Sequence, residues 1–373
     1  MPKRRFVLVV GLPHAGAGPL ADLAAESAAS LAEAGVRVPA RTADEARRAA
    51  LELRRTHKSD GLERKDVEGT WALLTQRARR EGAKSADAVL VVAEHLAGAS
   101  ASEIDLLTDA LHGFEVHVVA VVADPARQIV RAWEESVRRG GALSLRRYAR
   151  RVLDPGRVHE ESEAFWADQD APAVLSRWAV ELGRRDRVHV VAPAPDDDPT
   201  QLAWTALARL LGVDAALVPA AEGTAVAVDA AALEDLAAVN GAVDGRADLA
   251  AHAPVLERVV EACSTQGAVP ALLPHDLDEE LVELGERWAK ALAEAGYAVT
   301  GDTAHLVPAA SPRPARAAST STEERLVGTT EALADLVVEL ARAREQIAGL
   351  EKRNAKLEKK RRKLKTKLAR ALG

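Results

Sequence analysis

Cysteine and aromatic residues are scarce in this chain. Its single cysteine, Cys263, excludes a disulfide within the chain and fits a reducing compartment, so we expect a cytoplasmic protein. Aromatic residues make up only 3% of the sequence although 48% of it is hydrophobic, so alanine, valine and leucine must fill the core. The 373 residues are enough for a substantial core and for more than one domain.

Long apolar runs and metal-site spacings are missing as well. No segment approaches the roughly 18 apolar residues that a membrane-spanning helix needs. The apolar run after the basic residues 3–5 is too short for a signal peptide. Because no cysteine–histidine cluster and no ordered serine–histidine–aspartate set is recognisable, we expect neither a metal site nor a hydrolase triad.

The net charge of −6 is unevenly distributed along the chain. Residues 351–370 contain eleven Lys or Arg and two Glu, a net charge of +9, which leaves −15 for the remainder. A basic segment on an acidic body indicates that the two parts have different surroundings. The segment is either the solvated face of a helix or a binding surface for a polyanion, such as an anionic membrane surface or nucleic acid.

The motif around which the chain is organised lies near its start. Phe6–Val10 is predicted to be a short buried strand, residues 11–18 form a glycine-rich loop, and Pro19 suits the first turn of a helix. A strand, a glycine-rich loop and a helix N-terminus form the arrangement that binds phosphate, because backbone N–H groups and the helix dipole point at the anion. The segment is also compatible with an ordinary strand–helix turn.

Three further apolar runs, at 88–92, 116–122 and 187–191, alternate with helical patterns. This alternation predicts an α/β fold with a parallel sheet flanked by helices on both faces. The later pattern is mainly helical, and the compact part is expected to end near Gly296–Asp302. We therefore expect an α/β domain over residues 1–308, a Pro/Ala/Ser/Thr linker over 309–328, and a separate segment over 329–373.

A heptad repeat runs from Thr330 to Ala371. Its a positions are Leu333, Leu340, Ile347, Asn354, Arg361 and Leu368, and its d positions are Leu336, Ala343, Leu350, Leu357, Leu364 and Ala371. The repeat predicts an α-helical coiled coil, and a polar Asn354 at an a position favours two strands, so we expect a homodimer. A single amphipathic helix lying on its own domain is the alternative.

The glycine-rich loop resembles that of bacterial sulfotransferases that use 3′-phosphoadenosine 5′-phosphosulfate, whose pattern is G-x-P-K-T-G-T-T-x-L. His14 stands where that pattern has lysine, and two threonines are replaced by Ala17 and Gly18. The resemblance covers roughly residues 5–308 and implies a P-loop NTPase-like sulfotransferase fold. It also implies a loop that holds the sulfuryl donor, formed by Gly11, Pro13, His14, Ala15, Gly16, Ala17 and Gly18.

Two later segments extend this resemblance. Val89–Leu96 is similar to V-V-I-S-x-E, in which an acidic residue ends a strand beside the sulfuryl site. Glu94 matches that acid and is our candidate general base, since the carboxyl end of a strand faces the ligand crevice; a plain surface acid is the alternative. Val118–Ser136 is similar to the next element, but Ala123 replaces the arginine that would hold the 3′-phosphate, and Arg131 replaces a serine.

These replacements remove several charge-assisted hydrogen bonds, each contributing roughly 1.5–3 kcal/mol. We therefore expect a sulfotransferase-family protein with a decayed donor site that acts as a binding or scaffold protein assembled by its coiled coil. The alternative is an active sulfotransferase that transfers a sulfuryl group to a hydroxyl acceptor. In that case Glu94 and His14 would be catalytic, and a protonated His14 and Arg131 would replace the missing cations.

Overall fold

The computed structural model describes residues 4–81, 88–218, 229–243 and 271–309, and, near the C-terminus, residues 343, 346–347 and 349–361. The described strands are β1 (Arg4–Val9), β2 (Val36–Arg37), β3 (Ala88–Val92), β4 (Phe114–Val121), β5 (Val188–Ala192) and β6 (Ala298–Gly301). They form one sheet in the order β2-β3-β1-β4-β5-β6, and every pair of neighbours is parallel. The predicted α/β fold with a parallel sheet flanked by helices is confirmed.

Helices connect these strands. They are α1 (Gly18–Glu26), α2 (Ala28–Glu33), α3 (Ala43–Arg54), α4 (Arg64–Val67), α5 (Thr70–Glu81), α6 (Ala101–Ala110), α7 (Pro125–Arg138), α8 (Leu145–Leu153), α9 (Glu160–Gln169), α10 (Ala171–Leu182), α11 (Pro199–Leu211), α12 (Ala230–Val243) and α13 (Asp278–Glu294). Asp124 and Asp198 cap α7 and α11 by accepting from backbone N–H groups in their first turns. Such caps fix where each helix begins after its strand.

The core consists of the inner strands and the helix faces that cover them. β3 is buried along its whole length, and so is β1 from Phe6 onward, because a parallel strand covered on both faces exposes no side. Valine, leucine and alanine dominate this core, and Trp133 and Trp178 are its largest fully buried side chains. The composition therefore predicted the character of the core correctly.

Strand β6 lies within Gly296–Asp302, the segment where the compact part was expected to end, but no strand was predicted there. Ala298–Gly301 adds a parallel edge strand beside β5. Its side chains are largely exposed, so it lacks the continuous apolar pattern by which buried strands are recognised. Gly301 has φ +89°, and a Cβ there would lie 2.0 Å from the carbonyl oxygen of Ala192, so this pairing requires glycine.

Several predicted segments lie largely outside the described residues. These are the linker apart from its first residue and most of the heptad segment, and residues 254–263, whose sequence pattern also predicts a helix, lie wholly outside. Residues 349–361 are helical and exposed. No helix among the described residues is long and apolar enough to cross a membrane.

Candidate functional site

The sheet order creates a crevice beside β1. After β1 the chain crosses to β2 in one direction along the sheet, and after β3 it crosses to β4 in the opposite direction. β1 and β3 are neighbours in the sheet. With right-handed crossovers the two connections cover opposite faces of the sheet, so a crevice opens at the carboxyl ends of these strands. The loop after β1 and the short 3-10 segment Glu94–Leu96 after β3 meet there.

Two glycines let the loop after β1 pack closely against its neighbours. Gly11 has φ +82°, and a Cβ there would lie 2.6 Å from the Cβ of Glu94. Gly16 has φ +112°, and its Cβ would lie 2.5 Å from the side chain of Pro199 at the start of α11. A side chain at either position would both strain the backbone and collide, so the course of the loop depends on glycine.

The loop is held through its carbonyl groups. Gln169 donates to the Pro13 oxygen and the Thr200 hydroxyl donates to the Gly16 oxygen, both at 2.9 Å. In contrast, the backbone N–H groups of His14, Gly16, Ala17 and Gly18 donate to no atom of the described residues. These free donors lie at and just before the N-terminus of α1, the arrangement that favours an anion.

Glu94 projects toward this helix start. Its Oε1 lies 3.5 Å from the position that a Cβ of Gly18, the first residue of α1, would take. The residue retains some exposure, but its Oε2 is buried and has no hydrogen-bond partner among the described residues. Burial, and secondarily the negative charge of Glu135, raise the pKa of Glu94 to about 7.

Helix α7 begins at the carboxyl end of β4, the neighbour of β1 in the sheet, and its charges act on the crevice. Gln128 and Glu135 on this helix are seven residues apart, and Arg139, its C-cap residue, follows four residues later. This spacing places all three on one face of the helix. The charge of Glu135 influences the pKa values of both Glu94 and His14, which places this face toward the loop. Gln128 is almost completely buried, and neither of its amide atoms has a partner among the described residues.

Most of the arginines around the crevice are neutralised by acidic partners. Arg139 donates to Glu135 at 2.5 Å and to Asp60 at 2.7 Å, and Asp60 also accepts from Arg47 at 2.6 Å. On the other side, Arg54 pairs with Asp168 at 2.7 Å. These pairs tie α3, α7 and α9 to the crevice, but they leave little positive charge for a ligand.

His14 lies within this set of charges with φ +65°. Burial lowers its pKa, with Glu135 acting in the opposite direction and Arg139 and Arg131 adding to the lowering. His14 is therefore neutral near pH 7 and supplies no positive charge there. His95 is similar, because burial lowers its pKa to about 4.

The structure brings the predicted site residues together around one crevice. The loop residues Gly11, Pro13, His14, Ala15, Gly16, Ala17 and Gly18 lie on one side of it, with Ala15 and Ala17 buried. Glu94 lies at the adjacent strand end, and Ala123 is buried just beyond β4. Arg131 is exposed on α7 without an ion pair among the described residues, although its charge affects the pKa of His14.

The sequence assigned no role to the charged groups Asp60, Glu135 and Arg139, although Glu135 reads in register with the family element that Val118–Ser136 resembles. The helical spacing from Gln128 to Glu135 could have placed two polar residues on one face of α7. Asp60 gives no such signal, because it reaches the crevice only through the fold.

Among the described residues, no three His, Cys, Asp or Glu side chains are grouped so that they could hold a metal ion. Comparison of the chain with family models, with curated proteins and with solved structures finds no match.

Proposed function

We propose that this chain is a P-loop, sulfotransferase-like protein whose donor site no longer binds 3′-phosphoadenosine 5′-phosphosulfate, and that it acts as a non-catalytic binding or scaffold protein. One observation carries the proposal: burial lowers the pKa of His14, which stands at the position of the loop lysine, so the loop presents no cation near pH 7. The resemblance of the loop puts the negatively charged phosphosulfate in this region. The loop offers no lysine side chain to balance that charge.

The cations around the crevice support the same conclusion. His14 is neutral near pH 7, and Arg139 and Arg54 are held by carboxylates. If charge-assisted bonds contribute at least about 1.5 kcal/mol each, losing a lysine and an arginine weakens binding by at least about a hundredfold. The backbone N–H groups of the loop remain, but they alone seldom hold a polyanion tightly.

Titration of the full chain with 3′-phosphoadenosine 5′-phosphate tests this proposal. We expect a dissociation constant weaker than about 100 μM, because the missing cations forfeit several charge-assisted bonds. Isothermal titration calorimetry near neutral pH is the measurement. Micromolar binding together with sulfuryl transfer to an acceptor would sink the proposal.

An active sulfotransferase is the second candidate, and one observation favours it. A carboxyl whose pKa is about 7 suits a general base that takes the proton of an acceptor hydroxyl. Arg131, exposed and without an ion pair among the described residues, would have to supply the missing positive charge. If sulfuryl transfer occurs and Glu94→Gln abolishes it, this second candidate replaces the first.

The scaffold part of the proposal depends on the C-terminal helix. Ile347, Leu350 and Leu357, at a and d positions of the heptad, each expose more than half of their surface in the single chain. Apolar side chains with this spacing are covered when two such helices pair. We propose a homodimer, with the basic residues of this helix available to an anionic surface or nucleic acid.

Sedimentation of the full chain tests the dimer. We expect a dimer at micromolar concentration, and a monomer when Leu350→Glu and Leu357→Glu place charges in the seam, since like charges in a buried seam repel. Lys352→Glu with Lys359→Glu, at exposed positions outside the a/d seam, is the matched control and should leave the dimer intact. A monomer in the unsubstituted chain would show that the heptad pattern does not form a coiled coil.

A further inference from the structure

The crevice leaves two kinds of polar group without a partner among the described residues. The backbone N–H groups of His14, Gly16, Ala17 and Gly18 are hydrogen-bond donors, whereas the buried Oε2 of Glu94 is an acceptor when ionised. Buried polar groups are normally paired, and leaving one unpaired costs about 1–3 kcal/mol. A ligand that satisfies both kinds must accept hydrogen bonds from the loop and donate one to the carboxylate.

Small oxyanions differ in this respect. Sulfate carries no proton near neutral pH, so it can only accept hydrogen bonds and would face the Glu94 carboxylate with a bare oxygen. Inorganic phosphate keeps at least one proton over the same range, so it can accept from the loop and donate to the carboxylate. An O–H···O⁻ bond of this kind is short and about twice as strong as a neutral hydrogen bond.

We propose that the crevice is an oxyanion site that selects phosphate and rejects sulfate. The loop N–H groups bind the phosphate oxygens, and Glu94 accepts the hydrogen bond of the P–OH group. This inference rests on the proposed loss of the sulfuryl-donor site and names the ligand class that the altered site takes.

The charged groups around Glu94 are compatible with this role. Glu135 on α7 faces it and is paired with Arg139, while His14 in the loop and the adjacent His95 are neutral near pH 7. Neither α1 nor α11, which flank the loop, has an acidic residue in its first turn, and Asp198, the N-cap of α11, accepts from the backbone N–H groups of Thr200 and Gln201. Glu94 is therefore the group of this site whose pKa lies nearest to neutral pH.

Equilibrium dialysis of the full chain against labelled phosphate or labelled sulfate tests the inference. At about pH 8, where Glu94 is mostly ionised, we expect phosphate to bind at least about tenfold more tightly than sulfate. Between about pH 8 and pH 6 the protonated fraction of Glu94 rises roughly tenfold, and sulfate affinity should rise with it because a protonated carboxyl can donate. Phosphate should retain its affinity throughout.

A matched pair of variants isolates the carboxyl group. In Glu94→Gln the amide N–H can donate to either ion, so we expect phosphate and sulfate to bind within about threefold of each other, without the pH dependence of sulfate binding. Glu279→Gln removes the same charge from an exposed position at the start of α13 and should leave the preference for phosphate unchanged.

Binding of methyl phosphate tests whether the site takes free phosphate or the phosphate group of a larger ligand. A phosphomonoester loses its last proton near about pH 6, so at pH 8 it should bind as weakly as sulfate if only protonated oxyanions are accepted. Three results would overturn the inference: equal binding of phosphate and sulfate, a preference that survives Glu94→Gln, or binding of neither ion. Tight nucleotide binding with an intact phosphate preference would instead contradict only the proposed function.

Discussion

Gly11→Ala is expected to lower the free energy of unfolding by about 3 kcal/mol, whereas Gly113→Ala should lower it by only about 1 kcal/mol. Both glycines have positive φ, +82° and +96° respectively, so alanine is strained at both. At Gly11 the new Cβ would also lie 2.6 Å from the Cβ of Glu94, whereas at Gly113 it would meet nothing within 4 Å. The difference between the variants therefore measures the close approach of the loop to Glu94.

Urea denaturation of both variants and of the unsubstituted chain provides these free energies. Gly11→Ala should also disturb the crevice, because relieving the collision moves either the loop or Glu94. Gly113 precedes β4 at the opposite end of the sheet, so Gly113→Ala should leave ligand binding unchanged. Equal losses of stability in the two variants would mean that the loop does not pack against Glu94.

The central part of the sheet was predictable from short apolar runs. β1, β3, β4 and β5 are rich in valine and leucine because parallel strands between two helical layers have no polar side. The edge strands β2 and β6 were not predicted. β2 has only two residues and β6 is largely exposed, so neither produces an apolar pattern.

The position of the candidate site was also predictable in outline. The glycines of the loop and the location of Glu94 at a strand end were sufficient to place both at the carboxyl edge of a parallel sheet. The charge state of the site was not predictable. From the sequence alone, His14 could have carried a positive charge. Its charge depends on burial and on Glu135, Arg139 and Arg131, which come near it only in the fold.

The ion pairs around the crevice show the same limit. Asp60 accepts from Arg47 and Arg139, which are 13 and 79 residues away in the chain. Sequence spacing reveals partners three or four residues apart on a helix, such as Glu135 and Arg139, but it carries no information on the longer-range pair. A count of the arginines near the loop therefore overestimates the positive charge available to a ligand, because Arg47 and Arg139 are paired with Asp60.

The carboxyl of Glu94 also links the crevice to the stability of the protein. Because its pKa is raised in the folded state, the folded state binds more protons than the unfolded state between about pH 4.5 and pH 7. The contribution of this group to stability is therefore fully present at low pH and is lost as the pH rises through this window. Glu94→Gln should remove this dependence and make the protein more stable at about pH 8.

The most direct test is the titration of the Glu94 carboxyl carbon by nuclear magnetic resonance, with Glu94→Gln identifying its signal. A midpoint near pH 7 is expected if the group is buried and unpaired at the start of α1, because burial and Glu135 both disfavour its charged form. A midpoint near the ordinary value of 4.5 would show that the carboxyl is solvated or paired with a cation. Glu94 would then be unable to select a protonated oxyanion over sulfate, and the proposed phosphate site would be wrong.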